Sequence, residues 1–330
     1  TLPAFYGDTA AVLNGDPNAV SATLDCRKHL ADFKKQGVNA VIMDLRGNGG
    51  GLLQESITLS GLFIDKGPVV QVREANGVKN LDDDDEGTEW DGPLAVIIDK
   101  TSASASEIFA GVIQDYGRGL IIGDASTFGK GTVQTIIPIS EQLNRRDVPN
   151  LGALKMTIQQ FYRADGASTQ IQGVRPHIHI PSRRDQADFG EGKMDNALKF
   201  DSVPALAHDR YNRVPKELIE RLQARSDARR KDNAKFKKED DAIRKMIERK
   251  KNSAISLNEK VFREEYVSPE SEDDTAKDGE QAKAKARRRK TGENQPWNTD
   301  FYTEEVVSIL TDYLTLGSKA LASVPARAGR

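Results

Sequence analysis

The apolar positions along the chain fall into two alternating rhythms. Leu24, Leu30 and Phe33 recur at helical spacing between Asp16-Pro17, which can open a helix, and Gly37, which can stop one, so a helix is expected over 17–37. Residues 38–45 are mostly apolar and read as a strand entering the run Arg46-Gly47-Asn48-Gly49-Gly50-Gly51. A second helix is expected over 52–64, a short strand over 69–73 and an acidic loop over 82–86. Residues 94–98 are five apolar residues without alternation, the mark of a buried strand. A helix over 102–116 closed by Gly117, a strand over 120–123, and paired strands over 132–139 and 156–162 complete this half. Strands alternating with helices predict α/β layers with a largely parallel sheet.

The pattern thins near Pro181. Residues 216–225 and 232–251 are charged and helical in spacing, with Phe236, Ile243, Met246 and Ile247 as a narrow apolar stripe. Residues 264–294 hold almost no apolar side chain beyond Ala, so a mobile segment is expected near 266–294. A last helix over 303–316 carries Val306, Val307, Ile309, Leu310 and Leu314. Charge sharpens this division. The net charge of −2 over 330 residues hides 16 basic against 22 acidic residues in 1–182, and 32 against 28 in 183–330. The expected organisation is a globular core over 1–182 and a charged, mainly helical region over 183–330.

Several chemistries find no support. A single cysteine, Cys26, leaves no intrachain disulfide or cysteine metal cage. Of four histidines only His177 and His179 are suggestively spaced, and they read as alternating positions on an exposed strand, so no metal is expected. No apolar run is long enough to span a membrane, and Thr1-Leu2-Pro3 does not open a signal peptide. Gly123 to Lys130 fails as a phosphate loop, because five residues separate Gly123 from Gly129 and Gly131 follows Lys130. Leu52 stands where a dinucleotide fingerprint needs its third glycine. No cofactor is implied. The basic cluster 287–290 lies among acidic residues and reads as a solvated linker, not a nucleic-acid site.

Three elements of the acidic half fit together chemically. Gly49-Gly50-Gly51 follows a strand, where glycines let backbone N–H groups approach a ligand. Thr101-Ser102-Ala103-Ser104-Ala105-Ser106-Glu107 opens a helix, whose N-terminus favours developing negative charge. Phe128-Gly129-Lys130-Gly131-Thr132-Val133-Gln134 presents one lysine between glycines. A serine, a lysine kept neutral by burial and a pocket of backbone donors suffice for acyl transfer. Taken alone, the same residues also describe a glycine-rich loop, a Ser/Ala helix cap and a surface lysine.

The runs Asp44-Leu45-Arg46-Gly47-Asn48-Gly49-Gly50, Ser102-Ala103-Ser104-Ala105-Ser106-Glu107-Ile108-Phe109-Ala110 and Thr127-Phe128-Gly129-Lys130-Gly131-Thr132-Val133-Gln134 resemble, in order, the three signatures of the carboxy-terminal processing proteases, peptidase family S41. The likeness is greatest to the tail-specific branch of the Gram-negative periplasm, and continues through Gln114-Asp115-Tyr116-Gly117-Arg118, Gly173-Val174-Arg175-Pro176 and Asp195-Asn196-Ala197-Leu198. The resemblance implies a ClpP/crotonase-like layered β-β-α core with a C-terminal mainly α-helical extension. It implies a serine endopeptidase that recognises the C-terminal tails of proteins, in periplasmic processing and quality control. Ser104 matches the nucleophile, Lys130 the general base and Gln134 the residue that orients it. The N–H groups of Gly50 and Ala105 match the oxyanion hole, and Gly49, Glu107 and Asp115 match positions that support the site. Ser102 and Ser106 match no catalytic position.

The Ser104-to-Lys130 spacing is one residue longer than the family pattern, within Asp124-Ala125-Ser126, and His177 stands where an aspartate is expected. The family carries an N-terminal helical region and a PDZ peptide-binding module ahead of these motifs, so this chain is expected to be the later part of a longer, PDZ-regulated protein. Expected partners are protein substrates with apolar C-terminal tails, and a membrane-anchored lipoprotein adaptor is suggested for the charged half, which otherwise reads as a scaffold around the core. The expected location is periplasmic, peripheral to the inner membrane. Two alternatives stand beside this reading. One is a non-catalytic relative that binds ligands or peptides. The other is a crotonase-like acyl-CoA enzyme, for which no coenzyme phosphate site is readable.

Overall fold

The computed structural model describes residues 1–16, 18–142, 150–251, 256–266 and 300–321. The expected mobile segment near 266–294, the basic cluster 287–290 and the expected helix opening at Pro17 lie outside them, apart from Tyr266.

The first half builds two sheets around shared helices. A short helix α1 (Thr9–Leu13) precedes α2 (Ala22–Lys35), β1 (Val41–Asp44), α3 (Leu53–Gly61), the hairpin β2 (Gly67–Glu74) and β3 (Gly77–Asp83), β4 (Leu94–Ile98), α4 (Ala105–Asp115) and β5 (Leu120–Gly123). Next come β6 (Thr132–Pro138), the turn α5 (Ile139–Gln142), β7 (Ala153–Tyr162) and the two-residue β8 (Ile178–His179). The first helix expected, over 17–37, starts later because the Ser21 hydroxyl caps it, accepting from the Leu24 N–H at 3.2 Å.

A largely parallel sheet was the expectation, and only half of the strands satisfy it. Strands β1, β4, β5 and β8 form a parallel sheet in the order β1-β4-β5-β8. The other four form an antiparallel sheet, β3-β2-β7-β6, in which β6 and β7 pair as expected. The acidic stretch expected as a loop over 82–86 begins as the end of β3, whose largely exposed residues show no apolar alternation.

Alternation along the parallel strands decides the layering. Val41, Met43, Leu94, Val96, Ile98 and Ile121 point to one face, where Leu30, Leu59, Phe63, Phe109 and Ile113 cover them. Ile42, Ala95, Ile97, Leu120, Ile122 and Ile178 point to the other. Helices α3 and α4 also bury Ile57, Ile108 and Val112 against Val70, Val72 and Phe161 of the antiparallel sheet, so both sheets share them.

The charged region completes the parallel sheet. After Pro181 an extended strap crosses the core, with Val203 N–H donating to Gly166 O and Leu206 N–H to Ala164 O. It leads into α6 (Lys216–Asp232), α7 (Ala234–Lys251), α8 (Glu259–Tyr266) and α9 (Phe301–Leu321). Leu218 and Leu222 of α6, Phe236 of α7, and Val306, Ile309 and Leu310 of α9 cover the sheet's second face. Between α6 and α9, Arg229 pairs with buried Glu305 at 2.8 Å and with Asp312 at 2.5 Å. Among the described residues, no helix is long and apolar enough to cross a membrane.

Candidate active site

The glycine turn after β1 and the N-terminus of α4 meet through Asn48. This fully buried side chain donates to Leu2 O at 3.0 Å and accepts from the Gly50 N–H at 2.9 Å. The Asn48 backbone carbonyl accepts from the Ala103 N–H and the Ser106 hydroxyl. Gly50 lies at φ +101°, and a Cβ there would stand 2.7 Å from Ala103 O and 2.9 Å from Ser104 Cβ, so only glycine fits.

The three serines of the helix start have different surroundings. Ser102 is fully buried and donates to Leu45 O at 2.9 Å; Ser106 is fully buried and donates to Asn48 O at 2.9 Å. Ser104 is half-buried and caps α4 at φ 57°, ψ −114°, a strained conformation for a side chain with a Cβ. Ala105, the first helical residue, has no intrahelical acceptor for its N–H.

Glu107 ties this turn to the lysine loop. Its carboxylate is fully buried. Oε1 accepts from the Thr127 hydroxyl at 2.5 Å and the Gly129 N–H at 2.7 Å. Oε2 accepts from the Ser104 N–H at 2.8 Å and the Lys130 N–H at 2.9 Å. One oxygen therefore holds both backbone nitrogens. Burial pushes the Glu107 carboxyl up to about 7, against the pull of these donors.

Lys130 is half-buried, and its ammonium donates to Gln134 Oε1 at 3.3 Å. Burial, and then the charge of Lys155, lower its pKa. Among the described residues no hydrogen bond joins Lys130 Nζ to Ser104 Oγ. The expected site residues Gly49, Gly50, Ser104, Ala105, Glu107, Lys130 and Gln134 thus gather where the two loops meet. Asp115 does not: it closes the far end of α4 in a buried ion pair with Arg163, the Nε–Oδ2 contact being 3.2 Å. The Gly50 N–H, expected as an oxyanion donor, is engaged by Asn48 in this conformation, whereas the Ala105 N–H has no acceptor among the described residues.

His177 and His179 form no joint site. His177 Nδ1 accepts from the Ile121 N–H at 3.1 Å, and burial lowers its pKa to about 4. His179 Nε2 lies 2.8 Å from Asp185. Among the described residues no cluster of His, Cys, Asp or Glu could hold a metal ion. Sequence reasoning passed over Asn48, Thr127 and Gln170. Asn48 carried a faint signal, since asparagine between glycines marks a turn. Gln170, which accepts from the Gly131 N–H at 2.8 Å, carried none.

Comparison with known proteins shows the family. Residues 184–315 match the C-terminal domain of tail specific protease. A tail-specific protease of Haemophilus influenzae is 40% identical over 271 residues, covering 80% of this chain and 38% of that protein. A carboxy-terminal-processing protease of Bartonella bacilliformis is 42% identical over 141 residues, covering 42% of this chain and 30% of that one. The chain therefore spans well under half the length of these relatives. Among solved structures, the photosystem II D1 C-terminal processing protease aligns with a TM-score of 0.43 at 26% identity, covering 54% of this chain and 40% of that one. The model of peptidase family S41 matches residues 5–180, more than half of the chain and all of the gathered site, and the chain belongs to that family.

Proposed function

We propose that the chain carries the catalytic half of a serine endopeptidase in which Ser104 is the nucleophile and Lys130 the general base. The observation that carries this reading is the single Glu107 oxygen shared by the Ser104 and Lys130 N–H groups, which keeps two loops distant in sequence at one point. Neutral Lys130 takes the Ser104 hydroxyl proton as Oγ attacks the scissile carbonyl carbon. The oxyanion forms against the Ala105 N–H, joined by Gly50 once its N–H turns from Asn48. Collapse breaks the C–N bond, Lys130 returns its proton to the leaving amine, and water then releases the acyl group. Gln134 holds the lysine by its side-chain oxygen.

The substrates in this reading are proteins selected by apolar, uncharged C-terminal tails, in the Gram-negative periplasm, with tail recognition supplied by a PDZ module. The charged helices serve first as the outer layer of the core and second as a surface for a lipoprotein adaptor. A second reading, a peptide-binding relative without turnover, draws on two contacts: Lys130 to Gln134 and Gly50 to Asn48. The test is cleavage, by the full-length form that holds this chain and its PDZ module, of an unfolded protein ending in an apolar tail and of the same protein ending in charged residues. Cleavage of the first alone, absent in Ser104→Ala and Lys130→Ala, is the expected result. Cleavage undiminished in both variants would sink the assignment, and tight tail binding with no turnover would favour the second reading.

A further inference from the structure

Lys130 sits in a short loop between two glycines. Gly129 and Gly131 flank the lysine, and neither brings a side chain to pack. Its position depends on hydrogen bonds from outside. Glu107 supplies those on the inner side. Residues 161–171 hold the lysine's own backbone, with the Ile171 N–H donating to Gly129 O at 2.7 Å and the Thr169 hydroxyl to Lys130 O at 2.9 Å. The stretch leading into it, 124–128, is held by the strap that opens the C-terminal region, beyond the end of the family S41 match.

Five hydrogen bonds make this outer clamp, two of them through Gln170, which links the strap to Gly131. The Ser182 hydroxyl donates to Asp124 Oδ1 at 2.7 Å. The Ala125 N–H donates to Asp185 Oδ1 at 2.7 Å. The Glu191 N–H donates to Phe128 O at 3.1 Å. Buried Gln170 accepts from the Gly131 N–H at 2.8 Å and donates to Glu191 Oε1 at 3.1 Å. The Asp185 side chain is 6% exposed, and its second oxygen meets His179 Nε2, so the carboxylate is itself fixed. Ser182 and Asp185 thus grip neighbouring residues, Asp124 and Ala125, six and five positions before Lys130.

We infer that the strap over 182–198 is a positioning device for Lys130, with Asp185 as its main positioning residue, so that the C-terminal region sets the geometry of the proposed base. The inference rests on the reading of Lys130 as that base. Asp185 touches neither Lys130 nor substrate; it acts through the backbone of the loop. Small displacements of a catalytic group cost rate steeply, on the order of a hundredfold per ångström in the severe case.

The experiment compares the parent chain with Asp185→Ala, Asp185→Asn and Lys130→Ala. It measures cleavage of an unfolded protein substrate, and amide hydrogen exchange over 124–131 in the same proteins. Asn keeps an acceptor for the Ala125 N–H and offers a donor to His179, so it serves as the conservative variant. The expected result is an Asp185→Ala kcat about tenfold lower, with KM within about twofold and faster exchange confined to 124–131. Asp185→Asn should recover both to within about threefold. Parental kcat and unchanged 124–131 exchange in Asp185→Ala would overturn the positioning role. Parental cleavage in Lys130→Ala would instead overturn the base, and the exchange comparison would still decide the clamp. If the parent shows no turnover, exchange alone decides it.

Discussion

Ser102, Ser104 and Ser106 stand within five residues, and only their surroundings separate them. Two are buried and bonded to carbonyls; the third is half-buried on a strained backbone beside a glycine that no other residue could replace. Family likeness picked out Ser104, but the hydrogen bonds that tie up its neighbours reach back to Leu45 and Asn48, beyond local spacing. Asp83 shows the opposite case, a polar group without full satisfaction. Its Oδ2 is buried with no hydrogen-bond partner among the described residues, and burial with nearby Asp85 pushes the carboxyl up to about 6 from 3.8. The native state then holds a proton that the unfolded chain releases above the ordinary carboxylate range. Protonation therefore stabilises the fold fully below about 3.8, and this contribution is lost as pH rises through about 6. Asp83→Asn is expected to stabilise the protein at pH 8 by about 2 kcal/mol and to change nothing at about pH 3.5, read by thermal melts at both pH values. Equal melting shifts at the two would contradict this account.

At the scale of elements, the motif-bearing pieces were legible because each repeats a local rule. The strand over 94–98 appeared as β4 with both ends correct, since an unbroken apolar run buried on both faces allows few alternatives. The β2–β3 hairpin was only half legible: β3 is exposed, and its residues offer no alternation to read. Helix α4 and strand β5 are joined through Arg118, which is fully buried and, among the described residues, has no carboxylate partner. Its guanidinium donates to Phe63 O at 2.7 Å, Gly92 O at 3.0 Å and Trp90 O, pinning the approach to β4. Burial lowers its pKa to about 10, so it stays charged at neutral pH. Arg118→Ala strands three buried carbonyls and is expected to cost roughly 3 kcal/mol or more, measured as a lower denaturation midpoint at unchanged m-value. A midpoint within experimental error of the parent would show that these carbonyls find other partners.

Across the whole molecule, the boundary at residue 182 marks a change in composition more than a division of the core. The charge-rich half supplies the apolar cover for Ile97, Leu120 and Ile122, from Leu222, Val306 and Ile309. Charge density masked this, because those apolar positions are few and widely spaced among lysines, arginines and acids. A chain ending at 182 would leave that sheet face in water, so it is expected not to fold. The intact chain should unfold in one calorimetric transition, with Leu222→Ala lowering it by about 2–4 kcal/mol without splitting it. Two separate transitions would mean that the layers fold independently. The shared layers converge on one claim, that Lys130 activates Ser104. The most direct test is the pH dependence of kcat/KM for cleavage of an apolar-tailed unfolded protein, in the parent and in Lys130→Ala. Lys130 must be neutral to accept the proton, and its pKa is lowered, so the parental rate should rise with pH and level off after a midpoint below the ordinary lysine value of 10.5. Lys130→Ala should lose activity across the whole range. Retention of the parental rate and pH profile in that variant would contradict the account.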